Sequence, residues 1–239
     1  MSPASSKVDL DRALLPQVGA LGEEYDAWVH RSLKPKGSLR IFESDALESL
    51  SHVPWWLVLL VWVPITIALA VLTLTRLDME PLVFTALAFA GLVLWTLLEY
   101  GLHRFIFHFG VKSAFGRRLH FLAHGIHHLD PWDPTRLVFP PVPAMLIALV
   151  VFGLLYVVGL LAAPQAALAT ATALMVGVLV GYMIYDMVHY YTHHARPKSR
   201  WGKFLKAYHL AHHHKWPNRM FGVSQPLWDV VFGTARPRR

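Results

Sequence analysis

The stretch Leu119–Pro141 reads LHFLAHGIHHLDPWDPTRLVFPP: four histidines within nine residues, then the start of a long apolar run. Three readings compete: a complete small metal site, a pH-sensitive surface, or one wall of a site finished elsewhere in the chain. If 119–129 is helical, at roughly 100° per residue His120, His124, His127 and His128 fall in an arc about 100° wide. Leu119, Leu122, Ile126 and Leu129 then lie opposite. Such a helix has one imidazole face and one apolar face, so the question becomes what surrounds it.

The chain around it does not have a soluble protein's composition. Of 239 residues, 55% are hydrophobic and only 15% charged, against about 25% charged in a typical globular domain. With no cysteine there are no disulfides, no thiolate metal sites and no cysteine nucleophile. Residues 1–50 lack the apolar core of a signal peptide. Val53–Thr75 is 23 residues without a charge, long enough as a helix to cross a hydrocarbon core of about 30 Å. Leu82–Leu98 is a second apolar run, ending at Glu99. Leu137–Tyr185 is 49 residues without Asp, Glu, Lys, Arg or His, enough for two spans with a break at Ala163-Pro164-Gln165. Pro140, Pro141 and Pro143 suit the entry to a helix.

The expected fold is an all-α integral membrane protein. Four transmembrane helices, at about 53–75, 82–101, 138–162 and 166–188, would carry a cytoplasmic helical cap that holds a histidine-rich di-metal site. Residues 1–52 form a polar to amphipathic lead-in, and residues 53–239 the membrane domain. In the lead-in, Leu14, Val18, Leu21, Tyr25 and Trp28 recur at steps of four and three, as on one face of an interfacial or packing helix that Gly19 and Gly22 weaken.

The net charge of +7 is a topology signal. Arg31, Lys34, Lys36 and Arg40 precede span one. Arg104, Lys112, Arg117, Arg118 and Arg136 follow span two, and ten Lys or Arg follow span four. The loop 76–81 has one basic residue and the turn 162–166 none. Basic segments mark the cytoplasmic side, so both termini are expected there. Nucleic acid is not needed to explain the charge. The Ala/Leu/Arg-rich chain points to a bacterial inner membrane, for which the endoplasmic reticulum would be the eukaryotic counterpart.

Thirteen of the fifteen histidines lie between residues 103 and 214, none in a span core. They group as His103 and His108; His120, His124, His127 and His128; His189, His193 and His194; His209, His212, His213 and His214. Four groups on one membrane side are a metal-binding pattern, and about ten ligands exceed one ion, so two metals are implied. An all-imidazole set suits iron, zinc or copper rather than magnesium or calcium. Glu99 lies four residues before His103, and Asp186 three before His189. Each could accept a ligand's other ring N–H, or be an ordinary acidic residue at a membrane interface.

The motifs HRFIFH (103–108), HFLAHGIHH (120–128), RLVFPPVPA (136–144), YDMVHYYTHH (185–194), YHLAHHHK (208–215) and FGVSQPLWDVVFGT (221–234) resemble the fatty acid hydroxylase superfamily. Within it they look like the fatty acid 2-hydroxylase group, which acts on sphingolipid acyl chains. LLPQVGALGEEYDAWVH and RIFESDALE are similar to that group's lead-in to the first span, so the resemblance covers roughly residues 9–234. Sterol desaturases and carotenoid hydroxylases share the four histidine groups, whereas RLVFPP and FGVS…LWD point to the 2-hydroxylases.

The resemblance implies metal ligands at His103, His108, His124, His127, His128, His189, His193, His209, His212 and His213. His120, His194 and His214 fall outside the family pattern. It further implies two metal ions per chain, iron or zinc, with O2 as co-substrate and a membrane lipid or fatty acyl chain as substrate. Many eukaryotic relatives carry a cytochrome b5 domain. The lead-in is too short for one, so an external cytochrome b5- or ferredoxin-like electron donor is expected. The rival readings are sterol or carotenoid hydroxylation, desaturation, and a non-catalytic membrane zinc protein.

Overall fold

A computed structural model describes residues 8–237, and among them all regular structure is helical. In chain order the helices are α1 (Leu14–Val18), α2 (Tyr25–Val29), α3 (Asp45–Leu50), α4 (Trp55–Thr75), α5 (Pro81–Gly101), α6 (Ala114–His120), α7 (Ile126–Leu129), α8 (Pro141–Ala162), α9 (Ala167–His194), α10 (Arg200–His214) and α11 (Leu227–Val231). Two π-helical turns, Leu102–Phe107 and Phe121–Gly125, interrupt the α-helical path. The helices assort into two compact units. One comprises residues 55–99 and 138–188, and the other comprises the described residues up to 54, 100–137 and the described residues from 189 on.

Among the described residues four helices are long and apolar enough to cross a membrane, Trp55–Thr75, Pro81–Phe107, Pro141–Ala162 and Pro164–His194, and the first unit holds the bodies of these four. The break between the last two lies where the sequence places it. The second and fourth run on to 107 and 194 rather than stopping at 101 and 188. Of the apolar window of the fourth span, 67% is buried, against 22%, 11% and 11% in the first, second and third. α9 is therefore the hub of this unit, and the other three helices turn most of their apolar surface outward, as lipid-facing helices do.

Small residues let the hub be approached closely. A Cβ added at Gly177 would stand 1.8 Å from the Ala88 carbonyl oxygen, and one at Gly91 1.9 Å from that of Leu174. The backbones of α5 and α9 are thus in contact, with no room for a side chain at either crossing. Nearby the Trp95 ring lies over Gly181 and packs edge-on against Tyr182 and Tyr185. Thr73 and Thr172 join α4 to α9 through a 2.9 Å hydroxyl–hydroxyl hydrogen bond.

In the second unit the lead-in packs as a structural component, as the packing alternative for its helix expects. Leu14, Val18, Leu21, Tyr25 and Trp28 are all buried, as their spacing predicts. They do not lie on one rod, because a 3-10 segment (Gly19–Glu24) separates α1 from α2 and Gly22 turns the chain at φ 58°. That left-handed conformation is open to glycine without strain. The kinked lead-in packs its apolar side on Phe121, Ile126 and Leu129.

Arg136, counted among the basic loop residues, is buried and committed to the protein. Its guanidinium donates to the Leu39 carbonyl and pairs with Glu48, while the His52 ring sits 3.0 Å away. Glu48 in turn accepts the backbone N–H groups of Ile41 and Phe42. The RLVFPP stretch is thereby tied to the lead-in. The chain ends, residues 1–7 and 238–239, lie outside the described residues, so the expectation that places both termini in the cytoplasm falls on residues not described.

The close α5–α9 crossing predicts a strong asymmetry between glycines. Gly177→Leu should destabilise the detergent-solubilised protein by at least the about 1–3 kcal/mol typical of overpacking. Gly153→Ala, where an added Cβ meets nothing within 4 Å, should be neutral. Thermal unfolding of the two variants checks this, and equal midpoints would disprove it.

Candidate metal centre

All ten histidines named as ligands converge, and they do so as two groups of five. His103, His108, His124, His128 and His212 form one; His127, His189, His193, His209 and His213 form the other. In every case Nε2 points inward. In the first group the Nε2 atoms of His103 and His124, of His108 and His128, and of His108 and His212 are each 3.1 Å apart. In the second, the separations are 3.1 Å for His127–His213, 3.0 Å for His127–His189 and His209–His213, and 2.8 Å for His193–His209.

These contacts are not a hydrogen-bond network. The Nε2 atoms of His108, His127, His209 and His213 each face two other Nε2 atoms, and a ring nitrogen carries at most one hydrogen. Metal–imidazole bonds of about 2.0–2.1 Å at right angles place neighbouring nitrogens about 3 Å apart, which is the spacing seen. The donor set therefore fits one borderline metal ion per group.

The local backbone explains why the spacing works. His103 and His108 are five apart, which on an α-helix would put them on different faces. The π turn Leu102–Phe107 closes with a hydrogen bond from the His108 N–H to the His103 carbonyl (3.0 Å), so one wide turn brings both rings to the same group. A second π turn, Phe121–Gly125, closes from the Ile126 N–H to the Phe121 carbonyl. π turns are found disproportionately at functional sites.

That second turn also corrects the two-faced helix expected over 119–129. All four histidines are buried, but the apolar face splits: Ile126 and Leu129 enter the core while Leu119 and Leu122 are exposed. The extra residue in the turn changes the register between His120 and the residues beyond it. His124, His127 and His128 go to the metal groups. His120 instead shares a 2.6 Å hydrogen bond between its Nδ1 and the Tyr25 hydroxyl. His194 and His214 also stay outside both groups, the former packed on Tyr190 and the latter near Trp132.

The rings are held in the tautomer that ligation needs. His103 Nδ1 donates to the Phe221 carbonyl (2.5 Å) and His212 Nδ1 to the Arg219 carbonyl (2.7 Å), leaving Nε2 bare in each. The Nδ1–H of His103 is thus already used, which leaves the N–H of a neighbouring ligand ring as the one Glu99 could accept. Asp186, for its part, accepts from the Phe139 backbone N–H (3.4 Å) within the membrane unit.

Sequence reasoning missed Asp229. It is fully buried and accepts from the Phe221 and Gly222 N–H groups (2.9 and 2.7 Å) and from the Thr234 hydroxyl (2.7 Å). It thus braces the loop whose carbonyls hold His103 and His212. Its signal was the LWD of the FGVSQPLWD motif, which was read as a family marker rather than as a brace.

Burial, reinforced by neighbouring imidazoles, holds His108, His124, His128, His209, His212 and His213 well below the ordinary histidine range. Burial likewise brings His127 down to about 3. The rings are neutral at physiological pH, as metal binding requires.

The comparisons with known proteins agree with this chemistry. The sequence pattern of the fatty acid hydroxylase family matches residues 88–234. The chain belongs to that family. It is 42% identical over 227 residues to a dihydroceramide fatty acyl 2-hydroxylase of Arabidopsis thaliana, a match that covers 95% of this chain and 92% of that one. It is 40% identical to the fatty acid 2-hydroxylase of Rattus norvegicus, covering 96% of this chain and 65% of the longer rat protein. The solved structure of full-length Scs7p, in which only the hydroxylase domain is visible, superposes with a TM-score of 0.85 at 35% identity. That superposition covers 96% of this fatty acid hydroxylase and 86% of the solved chain.

Acid should unfold the metal-free protein. His120, which lies outside both groups, is lowered by burial to about 4 from an ordinary 6.5. Below about 6.5 the unfolded chain takes up a proton that the folded chain refuses, so stability is lost as pH falls through the window from 6.5 to 4. His127 adds the same sign down to about 3. Thermal midpoints of metal-free protein should fall steadily from pH 7 to pH 4, and a flat profile would contradict the neutral, buried assignment.

Proposed function

We propose that this protein is a membrane monooxygenase that hydroxylates C2 of a long fatty acyl chain, carried on ceramide or dihydroceramide or as the free acid. One observation carries the reading: ten inward-facing imidazole nitrogens in two groups of five, in a chain that aligns almost end to end with a dihydroceramide fatty acyl 2-hydroxylase.

His103, His108, His124, His128 and His212 would hold one ion, and His127, His189, His193, His209 and His213 the other. Iron would unite an all-imidazole donor set with redox activity, as copper also could, whereas zinc would fill the same site without oxidising anything. The chemistry supplied by the bound metals is activation of O2 with two electrons from outside, one oxygen atom entering the C2–H bond and the other leaving as water.

The protein's own part is placement and exclusion. The carbonyls of Phe221 and Arg219 keep Nε2 of His103 and His212 bare. The burial of nine ligand rings and the half-burial of His108 keep bulk water from the groups. His103 sits at the end of the second apolar span, and His189 and His193 at the end of the fourth. An acyl chain already dissolved in the bilayer would thus reach the metals without crossing bulk water. By the excess of basic residues this end, and both termini, would face the cytoplasm, where a cytochrome b5- or ferredoxin-like donor would deliver the electrons. Residues 53–239 would act as the hydroxylase domain, with residues 1–52 built into its cap. Glu99 and Asp186 would act on ligand rings other than His103.

Expression in a host lacking 2-hydroxy fatty acids, followed by lipid mass spectrometry, tests the reading. Oxygen-dependent 2-hydroxyacyl lipids should accumulate. His213→Ala should bring the product to background and lower the metal content from two per chain to about one. Unchanged lipids from metal-loaded protein with a competent reductant would refute the activity, and a hydroxylated sterol or carotenoid would redirect it.

A further inference from the structure

His30 and His128 each carry a buried ring nitrogen with no hydrogen-bond partner among the described residues, Nε2 in His30 and Nδ1 in His128. Their rings touch, with centroids 4.9 Å apart and planes at 75°. The His30 ring also stacks on His108, with centroids 6.1 Å apart and planes within 15°. His30 follows directly on α2 within the lead-in, a segment that contributes no histidine to either group.

The polarity of the two unpartnered nitrogens follows from what their rings already do. His30 Nδ1 lies 2.8 Å from the Asp26 carbonyl oxygen. A carbonyl only accepts, so the hydrogen of the neutral ring is on Nδ1 and Nε2 is a bare lone pair. His128 Nε2 belongs to the first group, 3.1 Å from His108 Nε2. A ring that ligates through Nε2 carries its hydrogen on Nδ1. One ring thus has a donor and the ring against it an acceptor, both buried and both unpaired.

We propose that His30 is a positioning residue of the first metal group, accepting the Nδ1–H of His128 when metal is bound. The chain then runs from the Asp26 carbonyl through His30 to His128 and the metal. It does for His128 what the Phe221 and Arg219 carbonyls do for His103 and His212. An acceptor behind a ligand ring fixes its tautomer and orientation and raises its basicity. The kinked lead-in, turned at Gly22 and packed on Phe121, Ile126 and Leu129, is what delivers this acceptor. The inference rests on His128 being a ligand, as in the proposed function.

The test uses the full-length protein in detergent, loaded with zinc and challenged with a chelator. His30→Leu removes the acceptor, and His30→Gln keeps an oxygen at about the reach of Nε2. The Leu variant should release one of two zinc ions about 10- to 100-fold faster than the unaltered protein, with the other zinc released at the unaltered rate. The Gln variant should stay close to the unaltered protein. Unaltered release from the Leu variant, or equal loss from both variants, would overturn the proposal.

A second measurement needs no variant. In zinc-loaded protein with 15N-labelled histidine, a nitrogen–nitrogen coupling across the hydrogen bond should link His128 Nδ1 to His30 Nε2. Assigned but uncoupled resonances would overturn the proposal whatever the variants do. Unaltered protein that binds no zinc would instead remove the ligand assignment, and this inference with it.

Discussion

Ten imidazoles must be gathered in a dry place, uncharged, with the same nitrogen of each facing inward, and the rest of the structure follows from that demand. A buried polar ring without partners is costly, and ten of them repel one another if protonated. The chain meets the demand by spreading the histidines over α5 with its π turn, the α6–α7 stretch, α9 and α10. Each element then has its remaining polar groups to satisfy, and the surrounding loops do that work: the Asp229-braced carbonyls on one side and the lead-in on another.

The two groups are not held alike. In the first, His103 and His212 have carbonyl acceptors behind them. In the second, Nδ1 of His127, His193, His209 and His213 is buried without a hydrogen-bond partner among the described residues. Rings backed by carbonyls are fixed in orientation before any metal arrives, whereas rings without such backing are oriented mainly by packing. Two metal positions of matching ligand chemistry can in this way differ in affinity and in redox behaviour.

What could be read from the sequence, and what could not, divides along physical lines. Uncharged runs of span length announce membrane helices by composition alone, so Val53–Thr75 and the Ala163-Pro164-Gln165 break were legible. Histidines at steps of three and four named the segments that bring the two imidazole groups together. The α-helical period could not account for His103 and His108, five apart, because a π turn leaves no compositional mark. The same blindness produced the clean apolar face over Leu119–Leu129, half of which is exposed. Spacing also could not separate His120 from His124, since only the tertiary contact with Tyr25 does so. Arg136 read as a topology charge because burial and pairing with Glu48 are invisible in one dimension.

α9 is at once the hub of the membrane unit and, at its last turns, the carrier of His189 and His193. A continuous helix transmits register: one residue inserted within α9 before His189 turns both rings by roughly 100° and advances them about 1.5 Å relative to the residues before the insertion. Away from its Gly177 and Gly181 crossings the fourth span can therefore exchange apolar side chains, but its length is constrained. α4 and α8 carry no ligand and are free of this restriction. Adaptation of this fold to thicker or thinner bilayers would accordingly be written in the lengths of those two helices, while the fourth span keeps its residue count.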